Sequence, residues 1–317
     1  MDICKVAFIG AGFMTQEHLK VFKDIENVEL VGIFSTTKEK ATILAKEYAI
    51  KYVADSISNL FETTTPDLLV ISVPELATKN VVLEAVKYSW TLLIEKPAGY
   101  NLQDAKEICT YVEKTNTNAF VALNRRHYSS TRNALKQLEE NNGRRVIIIN
   151  DQEDINAAVI HGQPPSVVKN WMFANSIHLI DLFNLFSRGD IVRVVNFEPW
   201  NEHDKFFNIS KIEYSSGDIG IYQSFWNAPS PWSVTIQTSE KRIEMKPIEN
   251  LSVMNYGSRN SKSIPVDELD LIYKPGLYYQ AKLAVEAALL KSKVIGLPTI
   301  AESFFTMELI NKLYHND

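Results

Sequence analysis

The sequence predicts an α/β domain on a parallel sheet, followed by an α+β domain with a large open, mostly antiparallel sheet. Three observations carry this expectation. Short apolar runs alternate with helical stretches of about ten residues up to position 123, the pattern of strands joined by crossover helices. A glycine turn, Gly10-Ala11-Gly12-Phe13-Met14-Thr15, separates the first strand from the first helix. Beyond Asn124 strand-like segments follow one another with turn residues between them.

The first domain is read as residues 1–123. Lys5–Ile9 is a short apolar run ending at Gly10, hence a buried strand. Gln16–Asp24 is a helix, Val28–Phe34 a second strand, and Lys38–Tyr48 a helix with Ala41, Leu44, Ala45 and Tyr48 on one face. Leu68–Val73 is a strand entered after Pro66 and closed by Pro74. Lys79–Tyr88 and Leu102–Lys114 are helices, and Thr91–Ile94 and Ala119–Leu123 the strands that go with them.

The second domain, 124–317, opens with a helix from Ser130 to Glu140 stopped at Asn141-Asn142-Gly143. Strands follow at Val146–Asp151, Val192–Glu198, Asn208–Tyr214, Ile219–Trp226, Ser233–Thr238 and Lys241–Lys246, with hairpin turns at Gly217-Asp218 and Glu240-Lys241. A helix over Ala174–Phe186 lies between the first two of them. Helices Leu277–Lys291 and Ala301–Tyr314 close the chain, and the C-terminal one is a candidate to pack back on the first domain.

Composition narrows the function classes. The 317 residues are 45% hydrophobic and 22% charged, which suits a soluble globular chain with ample core. A net charge of −5 gives no global pull toward nucleic acid or an anionic membrane, and the lysines form no stripe. Cys4 and Cys109 are too few for a disulfide scaffold or a four-cysteine zinc site. His18, His161 and His203 lack paired ligand spacing, so no metal is expected. No apolar run reaches the ~18 residues of a membrane span, and no signal-peptide pattern opens the sequence. A cytoplasmic protein is expected.

The glycine turn has a chemical reading. Gly10 permits the tight turn, and Gly12 lets the backbone of Phe13 and Met14 approach a pyrophosphate. The helix start then offers N–H groups and the positive end of its dipole. Thr15 stands at the third motif position, where a small residue serves close packing. The second strand ends at Phe34. Where NAD enzymes carry an acidic residue for the ribose, this chain has Ser35, followed by Thr36, Thr37 and Lys38. Hydroxyls and an ammonium can hold a 2′-phosphate, so NADP(H) is favoured over NAD(H). Thr37 also reads as a helix N-cap.

Three further stretches sit at strand ends: Ser72-Val73-Pro74, then Glu95-Lys96-Pro97 with Glu95 21 positions after Pro74, then Asn124-Arg125-Arg126. With the glycine turn they resemble the oxidoreductase family named after glucose-fructose oxidoreductase, inositol dehydrogenase and MocA. The resemblance runs from about residue 4 to 130 and returns at Asn175-Ser176-Ile177-His178-Leu179-Ile180-Asp181 and in the last two helices. It implies a Rossmann domain, then a large mixed sheet, with the nicotinamide held between them. It also implies a hydride exchanged with a hydroxyl or keto carbon of a sugar, cyclitol or nucleotide sugar. The family's lysine falls on Lys96 and its active-site histidine on His178. Where an acidic residue often stands four before that histidine, this chain has Ala174.

The residues support these roles independently. Histidine, with an ordinary pKa near 6.5, gives or takes the hydroxyl proton. A lysine in a cleft beside a cationic ring has a depressed pKa and can join that relay. Lys96 precedes Pro97, which ends the strand at the edge where open α/β sheets bind ligands. The expected cofactor contacts are Gly10, Gly12, Phe13, Met14, Ser35, Thr36, Thr37, Lys38, Ser72, Val73, Pro74, Glu95, Lys96 and Asn124. Substrate contacts are expected from Lys96, Arg125, Arg126, Tyr128, Trp171, Asn175 and His178, with the arginines and adjacent His127 suited to a phosphate or carboxylate. Trp226 is a further stacking candidate. Asp181 reads as structural. The strand-rich 192–246 stretch suits a homodimer or homotetramer. The competing reading, favoured by Ala174 and Thr15, is a non-catalytic NAD(P)-binding sensor or assembly protein on the same fold.

Overall fold

A computed structural model describes residues 2–139, 143–201, 204 and 206–315. The chain divides into two compact units: Met1–Asn124 with Ile272–Phe304, and Arg125–Leu271 with Phe305–Asp317.

In the first unit the order is β1 (Cys4–Ile9), α1 (Phe13–Lys23), β2 (Val28–Phe34), α2 (Lys38–Glu47), β3 (Val53–Ala54), α3 (Ile57–Thr64), β4 (Leu68–Ile71), α4 (Glu75–Ala85), β5 (Thr91–Glu95), α5 (Leu102–Thr115) and β6 (Ala119–Ala122). The six strands are all parallel, in the order β3-β2-β1-β4-β5-β6. This is the doubly wound Rossmann arrangement, and the order reverses between β1 and β4. Every residue of β4 is buried, as a strand covered on both faces requires.

Two sequence expectations shift here for reasons that matter. α1 begins at Phe13 rather than Gln16, so the helix starts on the glycine turn itself. α4 begins at Glu75, directly after Pro74, because proline's fixed φ suits a helix entrance. β3 and α3 are additions. β3 has two residues, too few for a period, and α3 is rich in threonine. Ser56 Oγ caps α3 by accepting from the Asn59 N–H at 3.0 Å.

The second unit opens with a 3₁₀ turn, Asn124–His127, then α6 (Ser129–Leu138) and β7 (Val146–Glu153). Two short helices follow, α7 (Ile155–Ile160) and α8 (Pro165–Lys169). A π-turn at Met172–Ser176 leads into α9 (Ile177–Phe186). Strands β8 (Ile191–Glu198), β9 (Phe207–Tyr214), β10 (Ile219–Trp226), β11 (Ser233–Gln237), β12 (Lys241–Met245), β13 (Leu251–Asn255) and β14 (Lys262–Ile264) complete the sheet before α10 (Glu268–Ile272). The expected end of the first of these helices at Glu140, its stop at Asn141-Asn142, and His203 lie outside the described residues.

The eight strands run in the order β14-β13-β12-β11-β7-β10-β9-β8. All pairs are antiparallel except β7 with β10, which are parallel. The predicted large, mostly antiparallel sheet is present. β13 and β14 extend it beyond the expected strands, and α7, α8 and the π-turn precede α9.

Residues 272–304 rejoin the first unit with α11 (Leu277–Leu290) and the start of α12 (Ile300–His315). Leu277, Ala281, Ala284, Val285, Ala287 and Ala288 join Cys4, Phe8, Phe22 and Leu93 in one buried cluster. A stripe of alanines lets α11 lie close against its neighbours.

Candidate active site

The glycine turn is fixed by sterics. Gly10 has φ +112°, and a Cβ there would stand 1.9 Å from the Ser72 carbonyl oxygen. That contact joins the C-terminal ends of β1 and β4, where the strand order reverses, and Ser72 N–H donates to the Ile9 carbonyl at 2.8 Å. Nothing lies within 4 Å of a Cβ built on Gly12, which is the N-cap of α1. The first turn of α1 carries no acidic side chain. A helix start with no acidic side chain and a glycine N-cap suits a bound pyrophosphate. Thr15 is fully buried beneath Gly10, with Oγ1 3.3 Å from that Cβ position, and so fills the small-residue place of the motif.

Ser35, Thr36, Thr37 and Lys38 lie at the end of β2, as the motif spacing requires. Ser35 Oγ accepts from the Thr37 N–H at 3.2 Å, while Thr37 occupies the N-cap of α2 without a side-chain capping bond. The Lys38 ammonium is paired with Asp55, and both side chains are exposed. The sequence reading found no carboxylate to oppose a 2′-phosphate. The fold supplies one, from just after β3.

Glu95 ends β5 with Lys96 directly after it, and Pro74 precedes α4 after Ser72 and Val73. Glu95 Oε1 lies 2.7 Å from Nε2 of the fully buried His18 on α1. The Lys96–Pro97 peptide is cis. Asn124, buried after β6, donates from Nδ2 to the Pro275 carbonyl at 3.0 Å.

In the second unit the two arginines separate in role. Arg126 is buried and donates from Nε and one terminal nitrogen to both oxygens of Asp181, at 2.6 and 2.7 Å. Thr306 Oγ1 donates to the same carboxylate at 3.1 Å. Arg126 thereby anchors α9 through Asp181. Arg125 lies over the rings of Trp232 at 4.9 Å and Tyr128 at 5.9 Å. His127 is buried, and that burial, followed by the charges of Arg126 and Arg132, pushes its pKa down to about 3. The low pKa favours its neutral form. Tyr128 is also buried. Trp226 packs against Trp200 and Tyr314, with ring centroids 4.4 and 5.9 Å apart, and is a core residue.

A cavity of about 410 Å³ is lined by Trp171 and Asn175, both expected from the sequence, and by Trp232, Gln152, Gln163 and His161, which were not. Buried His178 stands beside it, its ring 6.5 Å from that of Trp232. Trp232 is pinned by its Nε1–H to the Gln152 carbonyl at 2.8 Å. Gln152 sits at the end of a strand and Trp232 in an irregular loop, so no periodicity marks them. The sequence signal available was the aromatic Pro231-Trp232 step alone.

Comparison with known proteins agrees with this geometry. Residues 4–123 match the model of an oxidoreductase family with an NAD-binding Rossmann fold. A stretch of 204 residues is 26% identical to glucose-6-phosphate 3-dehydrogenase of Bacillus subtilis (strain 168), covering 59% of this chain and 55% of that protein. The chain spans little more than half the length of the curated relatives it matches. Among solved structures, UDP-N-acetylglucosamine 3-dehydrogenase from Acidithiobacillus ferrooxidans superposes with a TM-score of 0.79 at 15% identity, over 99% of this chain and 97% of that one. Levoglucosan dehydrogenase, in complex with NADH and L-sorbose, gives 0.81 at 17% identity, over 99% and 96%. At such identities the likeness speaks for the fold. Residues 4–123, with the glycine turn at their start and Glu95-Lys96-Pro97 at the edge of their sheet, thus match the model of that oxidoreductase family.

Proposed function

We propose that the chain is an NAD(P)-dependent oxidoreductase that exchanges a hydride with a hydroxyl or keto carbon of a sugar, cyclitol or nucleotide sugar. The observation that carries this reading is the Gly10–Ser72 contact, which leaves the start of α1 open beside Gly12 in a domain of this family. The named activity of the Bacillus relative, a sugar-phosphate dehydrogenase, supports the substrate class.

In this reading the division near residue 124 separates a cofactor half from a substrate half, and 272–304 serve the cofactor half. Gly10, Gly12, Phe13 and Met14 hold the pyrophosphate, and Ser72, Val73, Pro74, Glu95 and Asn124 shape the rest of the cofactor's bed. The nicotinamide, when bound, supplies the hydride acceptor or donor. Lys96 donates to the substrate oxygen and stabilises the charge that develops there. His178 takes the hydroxyl proton in oxidation and returns it in reduction. Trp171 and Asn175 contact the substrate. Ser35, Thr36, Thr37 and Lys38 favour NADP(H), with Lys38 exchanging Asp55 for the 2′-phosphate.

We also infer a homo-oligomer. Ile148, Ile209, Ile221 and Phe225 are half-buried on one face of the large sheet, an apolar surface suited to a second copy. Light scattering tests this, with a monomer at micromolar concentration overturning it.

The test of activity is absorbance at 340 nm with NAD⁺ and NADP⁺ against a panel of sugars, cyclitols and nucleotide sugars. Lys96→Met is expected to lower kcat by about 10²–10⁴-fold while leaving cofactor affinity intact. A second reading, a cofactor-binding sensor, is favoured by buried Ala174 four residues before His178. A biological role unaffected by Lys96→Met would decide for the sensor.

A further inference from the structure

Glu153 is fully buried on β7, yet both its oxygens are occupied at the edge of the cavity. Oε2 accepts from Asn175 Nδ2 at 2.9 Å and Oε1 from Ser176 Oγ at 3.0 Å. Two positions earlier on the same strand face lies Asp151, also fully buried, which accepts from the Tyr222 hydroxyl at 2.8 Å. Tyr222 in turn shares a 2.7 Å hydrogen bond with Tyr314. A polar chain thus runs from the cavity wall into the core of the unit. Burial, and then the neighbouring Asp151, raise the Glu153 pKa well above the usual carboxylate range. A side chain placed there for packing alone would be apolar, since a buried carboxyl costs several kcal/mol unless its bonds are made. Its bonds are made to the turn that delivers Asn175 to the cavity.

The other walls describe the ligand. Trp171 and Trp232 offer apolar ring faces, Gln152 and Gln163 offer planar amides, and Asp154 adds a carboxylate. No lysine or arginine is among the described lining residues. Such a lining pairs with the hydroxyls and C–H faces of an uncharged ring and opposes a phosphate. An amide whose nitrogen is engaged on the inner side keeps its oxygen as the acceptor for a ligand.

We propose that Glu153 is a positioning residue for an unphosphorylated sugar or cyclitol, fixing the Asn175 amide so that its Oδ1 accepts from a ring hydroxyl. This rests on the sugar-like substrate class of the preceding reading. Glu153→Gln keeps one acceptor and sets an NH2 donor at the other position, against Asn175 Nδ2 or the Ser176 hydroxyl, and so disturbs the pair of bonds that hold the Asn175 amide.

The test titrates tryptophan emission with D-glucose, myo-inositol and glucose 6-phosphate in the full chain with saturating NADPH. Wild type is expected to bind a neutral probe more tightly than the phosphate. Glu153→Gln and Asn175→Leu are each expected to weaken that probe about tenfold, close to 1.4 kcal/mol. The double variant should be no weaker than either single one, with NADPH affinity and melting temperature near wild type. General loss of packing would move the melting temperature and give additive effects. Should Glu153→Gln not fold, Asn175→Leu decides: tenfold loss supports the proposal and wild-type binding overturns it. Preference for glucose 6-phosphate overturns this inference and leaves the dehydrogenase reading standing. A wild type for which none of the sugar, cyclitol or nucleotide-sugar alcohols supports NAD(P)⁺ reduction overturns the dehydrogenase reading itself.

Discussion

His18 Nε2 on α1 lies 2.7 Å from Glu95 Oε1 at the end of β5, a bond between residues 77 positions apart. It ties the helix that starts on the glycine turn to the residue that precedes Lys96. Replacing Glu95 with Ala leaves a buried imidazole without that partner. A loss of about 1–3 kcal/mol in urea unfolding is expected, together with weaker cofactor binding measured by NADPH fluorescence. Glu95→Gln, which keeps a hydrogen-bonding group in place, should recover most of it.

Gly10→Ala is expected to be more severe. The added Cβ meets a backbone oxygen at 1.9 Å, and alanine disfavours φ +112°. Either strand end must move. Unfolding free energy should fall by more than about 1 kcal/mol, the upper end of the purely conformational effect, and cofactor affinity should fall by tenfold or more. Gly12→Ala meets no atom within 4 Å, so it should keep wild-type stability while still losing cofactor affinity.

Arg126 and Asp181 form the buried bidentate pair of the second unit. Arg126→Met strands a carboxylate inside the protein and is expected to cost about 3–5 kcal/mol. The double change Arg126→Met with Asp181→Leu should cost clearly less than Arg126→Met alone, because no charge is left behind. Chemical denaturation of the four proteins in a double-mutant cycle measures this.

His127 sets a pH dependence. Its pKa is about 3 in the folded chain and near the ordinary 6.5 when unfolded, so the unfolded state binds the extra proton between those values. Stability from this group is complete above pH 6.5 and is lost as pH falls toward 3. The slope approaches about 1.4 kcal/mol per pH unit in that window. Urea midpoints at pH 7, 6, 5 and 4 should fall more steeply for wild type than for His127→Gln.

Asp55 bears on cofactor choice. Its carboxylate holds Lys38, which the proposed NADP(H) preference needs at the 2′-phosphate. Asp55→Asn should raise the affinity for NADPH relative to NADH, and Lys38→Ala should lower it. Equal NADPH and NADH dissociation constants in all three proteins would sink the role given to this cluster.

Much of the first unit was legible because its signals are local. A strand buried on both faces reads as a continuous apolar run, and the glycine turn has a fixed place after it. The pairings that define the site were not legible, because they join residues far apart in sequence. Asp55 meets Lys38 only once β3 lies beside β2. Glu95 finds His18 across the sheet edge, and Arg126 finds Asp181 across 55 positions. The cavity shows the same division. Trp171 and Asn175 flank a helix start and could be named, whereas Gln152 and Trp232 are brought to it by the pairing of β7 with β11. Glu153 was hidden by its type, since an acidic residue at the end of a strand reads as solvent-facing.

The return of residues 272–304 to the first unit has a consequence for how such a chain is inherited. The buried cluster of Cys4, Phe8, Phe22 and Leu93 is closed by Leu277, Ala281 and Ala284 from α11. A recombination event that swapped everything after residue 124 would therefore exchange part of the nucleotide-binding core along with the substrate half. New specificities acquired in one crossover must arrive with a compatible α11. Substitutions at the faces of α1 and α11 should accordingly change together between lineages, while the loops around the cavity vary without that constraint.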